Sequence, residues 1–271
     1  MQVKKYLSAL GAPSFLLYKL CKSYVRTYEG YSYRFPKNGE ARLLEQLGQH
    51  DIKTVFDVGA NVGEWSVLAK SRFPDADIHA FELSESTFNT LSPVAQRHGF
   101  TANNCGLSDS DTEITYKDYG DGSTVNTIVA NADFHDGKLA AQEKRARVMR
   151  GDAYCLEHGI EHIDLLKIDV EGAEHLVLQG FERMFLEQRI GLVQFEYGFV
   201  NGDAHFLMKD FFRLFEQWGY AVGPLKPKGV IFGAFDYQLN GFKSGPNYVA
   251  VAKTQTALID AVAGPSIKGF F

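Results

Sequence analysis

The chain has 271 residues, of which 45% are hydrophobic and 23% charged. This composition is ordinary for a globular protein with a buried core and excludes a disordered or fibrous chain. The net charge of −5 provides no overall basic field for a nucleic acid backbone, so we expect no nucleic acid partner. The three cysteines are far apart in the sequence, which argues against a disulfide framework or a cysteine zinc site and favours reduced thiols in a cytoplasmic protein.

Residues 1–37 are predicted to form a helical extension ahead of the main domain. A mildly apolar stretch follows two N-terminal lysines, but Lys19, Lys22 and Arg26 interrupt it before it could span a bilayer. A short packing helix is therefore expected, and no integral membrane segment. Peripheral contact of residues 1–26 with an anionic membrane surface stays open as an alternative.

From residue 40 onward, short apolar runs alternate with amphipathic helical stretches, which is typical of a parallel α/β sheet. The predicted strands are 54–58, 77–81, 101–105, 163–169, 191–197, 222–225 and 248–252. The predicted helices are 40–47, 65–71, 87–96 (broken or kinked at Pro93), 176–185 and 211–218. Segments 112–118 and 123–130 flank the turn residues Gly120-Asp121-Gly122 and are predicted to form an inserted β-hairpin. The domain is placed at 38–253, with a tail at 254–271.

The most informative segment runs from Val55 to Trp65, where a strand enters a glycine turn and then a helix. This arrangement places backbone N–H groups and a helix N-terminus at the carboxyl edge of the sheet, where ligands bind. A dinucleotide fold needs Gly-x-Gly-x-x-Gly, but Asn61 and Glu64 occupy the second and third glycine positions and oppose a pyrophosphate. The turn instead suits S-adenosylmethionine (SAM), which has an ammonium group and a carboxylate but no phosphate.

The expected cofactor contacts come from this turn and from the end of the second strand. Asp57 is expected to meet the SAM ammonium, directly or through water, and backbone N–H groups near Gly59 to Gly63 its carboxylate. Glu82 can accept hydrogen bonds from both ribose hydroxyls, as it could with a dinucleotide. The expected cofactor-binding residues are Asp57, Gly59, Asn61, Gly63, Glu64, Trp65, Glu82, Leu83, Gly106 and Asp169.

Several motifs together carry a resemblance to a known family. They lie at 38–40, 56–64, 81–82, 106–109, 195–197 and 247–250, and the most specific is Asp-Leu-Leu-Lys-Ile-Asp-Val-Glu-Gly-Ala-Glu at 164–174. From about Asn38 to Lys253 the chain resembles the FkbM family of methyltransferases. It departs from the family pattern at Arg150-Gly151-Asp152, where many members have Leu-Asp-Asp.

The resemblance implies a class I methyltransferase with a Rossmann-like α/β fold. The sheet is expected to be mostly parallel and seven-stranded, with helices on both faces. The implied cofactor is SAM, with S-adenosylhomocysteine (SAH) as its product. The implied reaction is O-methylation of a hydroxyl on a sugar, glycan or natural product, often in polysaccharide biosynthesis.

The acceptor is expected over the fourth and fifth strands, because cofactor and acceptor lie on opposite sides of the switch point of such a sheet. A base within hydrogen-bond reach assists methyl transfer to a hydroxyl. The candidate bases, in order of preference, are Asp169, Glu196 and His175. The expected acceptor-binding residues are Glu171, Tyr197 and Ser123. Glu174 is expected to cap the helix that it begins or to form a structural pair.

Other functions stay open at this stage. N-methylation of a small molecule or macromolecule is one, and a non-catalytic SAM-binding module is another, while Asn61 and Glu64 disfavour an NAD-dependent oxidoreductase. A divalent metal held by some of these carboxylates is possible but not favoured, because no further acid is placed to complete its shell. No metal ligand is therefore assigned. The sequence leaves the oligomeric state and the acceptor open.

Overall fold

The computed structural model describes residues 15–28, 32, 35–120, 126–129, 142–241 and 245–265. Its strands are β1 (Thr54–Val58), β2 (Asp77–Phe81), β3 (Thr101–Asn103), β4 (Gly106–Ser108), β5 (Thr112–Asp118), β6 (Gln142–Arg150), β7 (Ile163–Ile168), β8 (Ile190–Glu196), β9 (Tyr220–Lys226), β10 (Gly229–Val230) and β11 (Asn247–Ala252). Its α-helices are α1 (Phe15–Tyr28), α2 (Glu40–Leu47), α3 (Glu64–Arg72), α4 (Glu85–His98), α5 (Gly151–His158), α6 (Glu174–Gly180), α7 (Glu182–Leu186), α8 (Phe199–Asp203), α9 (Met208–Gln217) and α10 (Thr256–Val262). None of these helices has the length and apolar character needed to cross a membrane.

The central sheet has eight strands in the order β10-β9-β11-β8-β7-β1-β2-β3. From β8 to β3 every neighbouring pair is parallel, whereas β11 is antiparallel to both β8 and β9. The expected α/β class with a mostly parallel sheet is confirmed. The sheet has one strand more than the seven expected, because the two-residue strand β10 extends its edge beyond β9.

Side chains of the strands alternate between two apolar cores, one on each face of the sheet. Phe56 of β1 lies in a core that also contains Phe181 and Phe211, which come from the segments around α7 and α9. Val55, the preceding residue, lies in the opposite core with Leu44 of α2 and residues of α3 and α4. Helices therefore cover both faces, as expected.

A second sheet has the order β4-β6-β5 and lies beside the main one. β5 pairs with β6 along its whole length, from Thr112 opposite Val148 to Asp118 opposite Gln142. The long pairing of 112–118 is therefore with β6 and not with the expected hairpin segment 123–130, of which residues 123–125 and 130 lie outside the described residues. Within the described residues, a single bridge between Lys117 and Thr127 joins β5 to that second segment. The main partner of β5 is β6, which lies far along the chain. The turn residues near Gly120 therefore do not indicate this pairing.

Two helical predictions also need correction. α4 continues through Pro93, so the expected break is absent from this helix, and a kink at Pro93 stays a prediction. The single helix predicted at 176–185 is two helices, α6 and α7, which meet at Phe181.

Part of the predicted C-terminal tail packs on the domain. Val262 of α10 is fully buried, and Gln46 donates a hydrogen bond to the Ala261 carbonyl at 2.9 Å. The Gly264 N–H donates to the Val230 carbonyl at 2.8 Å. These contacts attach α10 to α2 and to the edge of the sheet.

Candidate active site

A cavity of about 780 Å³ opens where β1, β2, β7 and β8 end, a volume within the usual range for small-molecule sites. Most of the predicted site residues line it, namely Gly59, Asn61, Glu64, Trp65, Glu82, Leu83, Gly106, Asp169, Glu171 and Glu196. Four predicted residues do not line it: Asp57, Gly63, His175 and Tyr197. Ser123 lies outside the described residues, so its role as an acceptor contact stays a prediction.

The turn after β1 brings the backbone close to the neighbouring loop. Gly59 has φ +82°, and a Cβ atom there would lie 1.9 Å from the Asp169 carbonyl oxygen, so only glycine fits. Gly63 has φ +88°, and a Cβ atom there would lie 2.7 Å from Leu91. Gly63 therefore allows the turn to pack on α4 and does not form the cavity wall.

The backbone N–H groups of this turn are mostly used within the protein. The N–H groups of Gly59 and Ala60 donate to the Phe81 carbonyl, and that of Gly63 donates to the Ala60 carbonyl. The Asn61 N–H donates to Glu82. The expectation that these groups bind the SAM carboxylate is wrong for these four. The first turn of α3, which begins at Glu64, retains the donors that an α-helix leaves unpaired at its start.

Glu82 lines the cavity just beyond β2 with its carboxylate held in a fixed position. Its Oε2 accepts from the Asn61 N–H at 2.9 Å, and its Oε1 accepts from the Ser84 N–H at 2.8 Å. Burial raises the pKa of Glu82, while these two hydrogen bonds oppose the rise. Because each carboxylate oxygen has a second lone pair, Glu82 can still accept hydrogen bonds from a ligand.

A buried lysine joins the two halves of the site. Lys167 Nζ lies 3.0 Å from Asp57 Oδ1 and 3.5 Å from Asp169 Oδ2, and it faces the ring of Trp65. Burial alone would lower the pKa of Lys167, but Asp57, Asp169 and Glu40 raise it above its ordinary value. Lys167 therefore carries a positive charge beneath the cavity floor.

Asp57 supports the floor of the cavity and does not reach the cavity itself. Its side chain is 0% exposed, accepts a hydrogen bond from Ser66 Oγ at 2.6 Å and pairs with Lys167. The expected direct contact with the SAM ammonium is therefore wrong. Asp57 lies one residue before the end of β1, which is covered on both faces, so only the expected contact through water stays a prediction.

Three carboxyl groups converge on the acceptor side. Oxygens of Asp169, Glu171 and Glu196 lie within 4.8 Å of one another. Enclosure raises the pKa of Asp169, but the Lys167 ammonium and hydrogen bonds from Glu196 and Lys167 outweigh this, so the pKa lies below its ordinary value. Burial and the Asp169 charge raise the pKa of Glu196 well above its ordinary value. Burial and the charges of Asp169 and Glu174 raise the pKa of Glu171 to about 9.

At neutral pH these shifts leave Asp169 ionised and the two glutamates protonated. Asp169 and Glu196 thus share one proton through a hydrogen bond, which is the usual result when two carboxyl groups are this close. Oxygen ligands in this arrangement are also of the kind that a hard divalent cation prefers. Lys167 already supplies a positive charge beside Asp169, however, although Asp57 shares this one charge.

Glu174 and His175 have structural positions. Glu174 is 1% exposed and accepts hydrogen bonds from the N–H groups of Val170 and Gly172 and from Asn201 Nδ2. It therefore holds the loop ahead of α6 and does not cap the helix, whose N-cap has no side-chain hydrogen bond. His175 stacks on Phe206, with 4.7 Å between ring centroids. His175 is half-buried and does not line the cavity, because α6 begins only at Glu174 and its first turn directs the ring onto Phe206, so the structure does not support His175 as a base.

Tyr197 is also a core residue. It is 1% exposed, its ring packs edge-on against Phe211 and Tyr248, and its hydroxyl donates to the Asn240 carbonyl at 3.3 Å. Glu196 points to the cavity, so the next residue in the strand points to the opposite face. The expected contact between Tyr197 and the acceptor is therefore wrong.

Sequence reasoning missed Lys167 and Glu40, although both line the cavity. Glu40 is 7% exposed and accepts a hydrogen bond from Gln194 at 2.6 Å. Burial raises its pKa, which the Lys167 charge opposes. Lys167 could have been found from its place inside the apolar run Leu165-Leu166-Lys167-Ile168. A lysine in a buried strand needs anionic partners, and such partners indicate a polar site.

A model of the FkbM methyltransferase domain matches residues 57–222, which is more than half of the chain. The chain belongs to the FkbM methyltransferase family. The matched region contains the glycine turn, Glu82 and the whole carboxyl cluster. The family model therefore covers most of the residues that build the cavity.

Relatives of this FkbM-family chain include methyltransferases with named acceptors. The 31-O-demethyl-FK506 methyltransferase FkbM of Streptomyces tacrolimicus is 29% identical over 47% of this chain and 59% of its own length. The hexuronic acid methyltransferase AglP of Haloferax volcanii is 25% identical over 62% of this chain and 65% of its own length. The AMB antimetabolite synthetase AmbE of Pseudomonas aeruginosa is 32% identical over 47% of this chain and 8% of its own length. The chain thus matches less than two thirds of each.

Among solved structures, the FkbM methyltransferase from Methylobacillus flagellatus KT is similar, with a TM-score of 0.43 and 14% sequence identity. The match covers 74% of this chain and 43% of that one. A putative caffeoyl-CoA O-methyltransferase from Staphylococcus aureus has a TM-score of 0.42 and 13% identity, covering 93% of this chain and 100% of that one.

Proposed function

We propose that this FkbM-family chain transfers a methyl group from SAM to a hydroxyl of a sugar, glycan or natural product. The observation that carries the proposal is one cavity lined by the fixed carboxylate of Glu82 and by an ionised carboxylate, Asp169. The names of two relatives, a 31-O-demethyl-FK506 methyltransferase and a hexuronic acid methyltransferase, support acceptors of these classes.

The cavity residues suit each part of SAM. Glu82 is assigned to the ribose hydroxyls, and the apolar wall formed by Leu83, Leu107 and Val148 to the adenine. The start of α3 is assigned to the carboxylate, together with the Nε1–H of Trp65, which is buried without a hydrogen-bond partner among the described residues. The ammonium is assigned to Glu40, which lines the cavity where Asp57 does not.

SAM, when bound, supplies the methyl group on a sulfonium centre. The acceptor oxygen forms its bond to the methyl carbon as the carbon–sulfur bond breaks, and SAH leaves as the product. Asp169 accepts the hydroxyl hydrogen bond, orients the oxygen and takes the proton. Lys167 keeps Asp169 ionised, and Glu196 fixes its orientation. Alignment alone can supply effective molarities of roughly 10⁵–10⁸ M in well-oriented reactions.

The acceptor side of the cavity includes part of the segment that follows β5. Asn126 and Ile128 line the cavity, and Thr127 Oγ1 donates to the Glu171 carbonyl at 2.6 Å. Glu171 has φ +54°, a conformation uncommon outside glycine that this contact helps to hold. We assign this segment and Glu171 to acceptor binding.

Calorimetric titration with SAH tests the cofactor assignment. Glu82→Ala is expected to raise the dissociation constant for SAH by roughly 10- to 100-fold, because two charge-assisted hydrogen bonds are lost. Glu85→Ala removes a nearby exposed carboxylate and is the matched control, with unchanged affinity expected. Unchanged affinity of the Glu82 variant would remove Glu82 from the ribose role, and a wild-type chain that binds no SAH would refute the cofactor.

Labelled SAM with separate panels of sugars, nucleotide sugars, glycans, hydroxylated natural products and amines tests the acceptor class. Transfer to hydroxyls supports the proposal. Transfer confined to amines would contradict it and favour N-methylation. Repeating the active reaction after exhaustive chelation tests the role of a metal, and turnover is expected to persist because the Lys167 ammonium already stabilises the ionised form of Asp169.

A further inference from the structure

Helix α1 (Phe15–Tyr28) has an apolar face that takes no part in forming the cavity. Every side chain from residue 15 to residue 27 is exposed. Leu16 is 68% exposed, Leu20 59% and Tyr24 71%. An isolated helix of about 12–15 residues is only marginally stable in water, so a helix that buries none of these side chains needs another surface to stabilise it.

The side chains of α1 are segregated by chemistry. With 100° between successive residues of a helix, Lys19, Lys22 and Arg26 fall on one face. The opposite and wider face carries apolar and aromatic residues at spacings of three and four. These residues are Leu16, Leu17, Leu20, Tyr24 and Val25. A basic face opposite an apolar face is the pattern of a helix that lies in the plane of a membrane interface.

Charge is also distributed unevenly along the chain, with a positive N-terminal segment and an acidic domain. The first 28 residues hold five of the 28 basic residues and none of the 33 acidic ones, so this segment carries a formal charge of +5 and the rest of the chain −10. An anionic lipid surface attracts such a basic segment and repels the acidic domain. The helix therefore meets the surface before the domain does.

We infer that α1 docks on the surface of an anionic phospholipid membrane. Its 14 residues span about 21 Å along the axis, which is less than the hydrocarbon thickness of about 30 Å, so the helix lies on the surface. Tyr18 and Tyr24 have the amphipathic rings that are enriched at membrane–water interfaces. These tyrosines and the absence of acidic residues from the α1 sequence favour lipid over a protein groove as the occupant.

Co-sedimentation of the full chain with vesicles tests this inference. Binding is expected to vesicles of phosphatidylcholine and phosphatidylglycerol in equal amounts, and not to vesicles of phosphatidylcholine alone. Combined Lys19→Gln, Lys22→Gln and Arg26→Gln substitutions are expected to lower the partition coefficient on the order of 100-fold. Combined Leu16→Ser and Leu20→Ser substitutions are expected to lower it roughly tenfold or more.

Leu156→Ser with Leu186→Ser is the matched control, because both residues are exposed leucines outside α1. The control is expected to bind anionic vesicles like the wild type. Unchanged melting temperature and SAH affinity in all variants exclude misfolding as the cause of lost binding. Equal binding to both vesicle types, or unchanged binding of the triple variant, would overturn the inference. A dimer in sedimentation experiments that the Leu16 and Leu20 substitutions dissociate would overturn it in favour of a second copy.

Discussion

Asp169 and Glu196 are carboxyl groups one hydrogen bond apart that differ in charge at neutral pH. The Lys167 ammonium lowers the pKa of Asp169, whereas burial and the Asp169 charge raise the pKa of Glu196. Only an ionised carboxylate can accept a proton from the acceptor hydroxyl. The assignment of Asp169 as the base therefore rests on its neighbour Lys167 more than on its place at the end of β7.

Asp169→Asn is expected to lower kcat by about 10²–10⁴-fold, the usual contribution of a general base. Glu196→Gln should keep kcat within about tenfold of the wild type, because glutamine retains the hydrogen-bond donor that a protonated glutamate provides. SAH affinity should change little in either variant, which calorimetry can check. Equal losses of turnover in the two variants, or a larger loss in Glu196→Gln, would contradict the assignment.

Strands β1 and β7 are joined below the cavity by the ion pair between Asp57 and Lys167. Asp57 is 0% exposed, so a lost partner would leave its charge buried without compensation. Lys167→Met is expected to lower the free energy of unfolding by about 3–5 kcal/mol, which urea denaturation measures. Lys53→Met removes a lysine from an exposed pair with Asp51 and should leave the urea midpoint nearly unchanged. Similar small effects from both substitutions would show that the buried pair adds little.

The strands were the most predictable elements, because buried parallel strands are continuous apolar runs bounded by polar residues. The predicted ranges 54–58 and 77–81 coincide with β1 and β2. The pairing of β5 with β6 was not predictable, because the two strands are separated by 23 residues of chain and pair through a tertiary contact rather than a tight turn. Local sequence patterns report local geometry, and this pairing is not local.

The site was predictable to the extent that topology determines it. Glu82 and Asp169 directly follow strands and Glu196 is the last residue of one, all at one edge of the sheet, so their convergence follows from parallel pairing. The direction in which the neighbouring side chains point was harder to predict from the sequence. Tyr197 and His175 each lie next to a cavity residue in the sequence. The alternation of strand side chains turns Tyr197 into the core, and the late start of α6 turns His175 onto Phe206.

The distribution of charge over the entire chain matters for the cofactor. The acidic domain concentrates carboxyl groups at the cavity, and two of them are held protonated by burial and mutual repulsion. SAM carries a sulfonium charge that SAH lacks, and this charge favours ionised carboxyl groups beside it. Binding of SAM is therefore coupled to the release of protons from the site, whereas binding of SAH is coupled weakly.

This coupling predicts how the affinity ratio of the two ligands depends on pH. Glu171, with its pKa raised to about 9, holds its proton in the free site at neutral pH, and a bound sulfonium lowers that pKa. Between the two pKa values the free site binds more protons than the SAM complex, so raising the pH stabilises the complex. SAM affinity relative to SAH should therefore rise, by at most about tenfold per pH unit for one proton, and level off above about pH 9.

Calorimetry with SAM and with SAH measures the ratio of the two affinities. Repeating it in buffers that differ in ionisation enthalpy counts the protons released on binding, after the titrations of the ligands themselves are subtracted. Glu171→Gln removes the group that titrates and should flatten the rise of the ratio near pH 9, while Glu113→Gln, on the exposed part of β5, should leave the curve unchanged. If SAM and SAH affinities instead run parallel from about pH 6 to about pH 9, the sulfonium lies away from the carboxyl cluster. The methyl group would then be presented elsewhere in the cavity, and Asp169 could not be its neighbour.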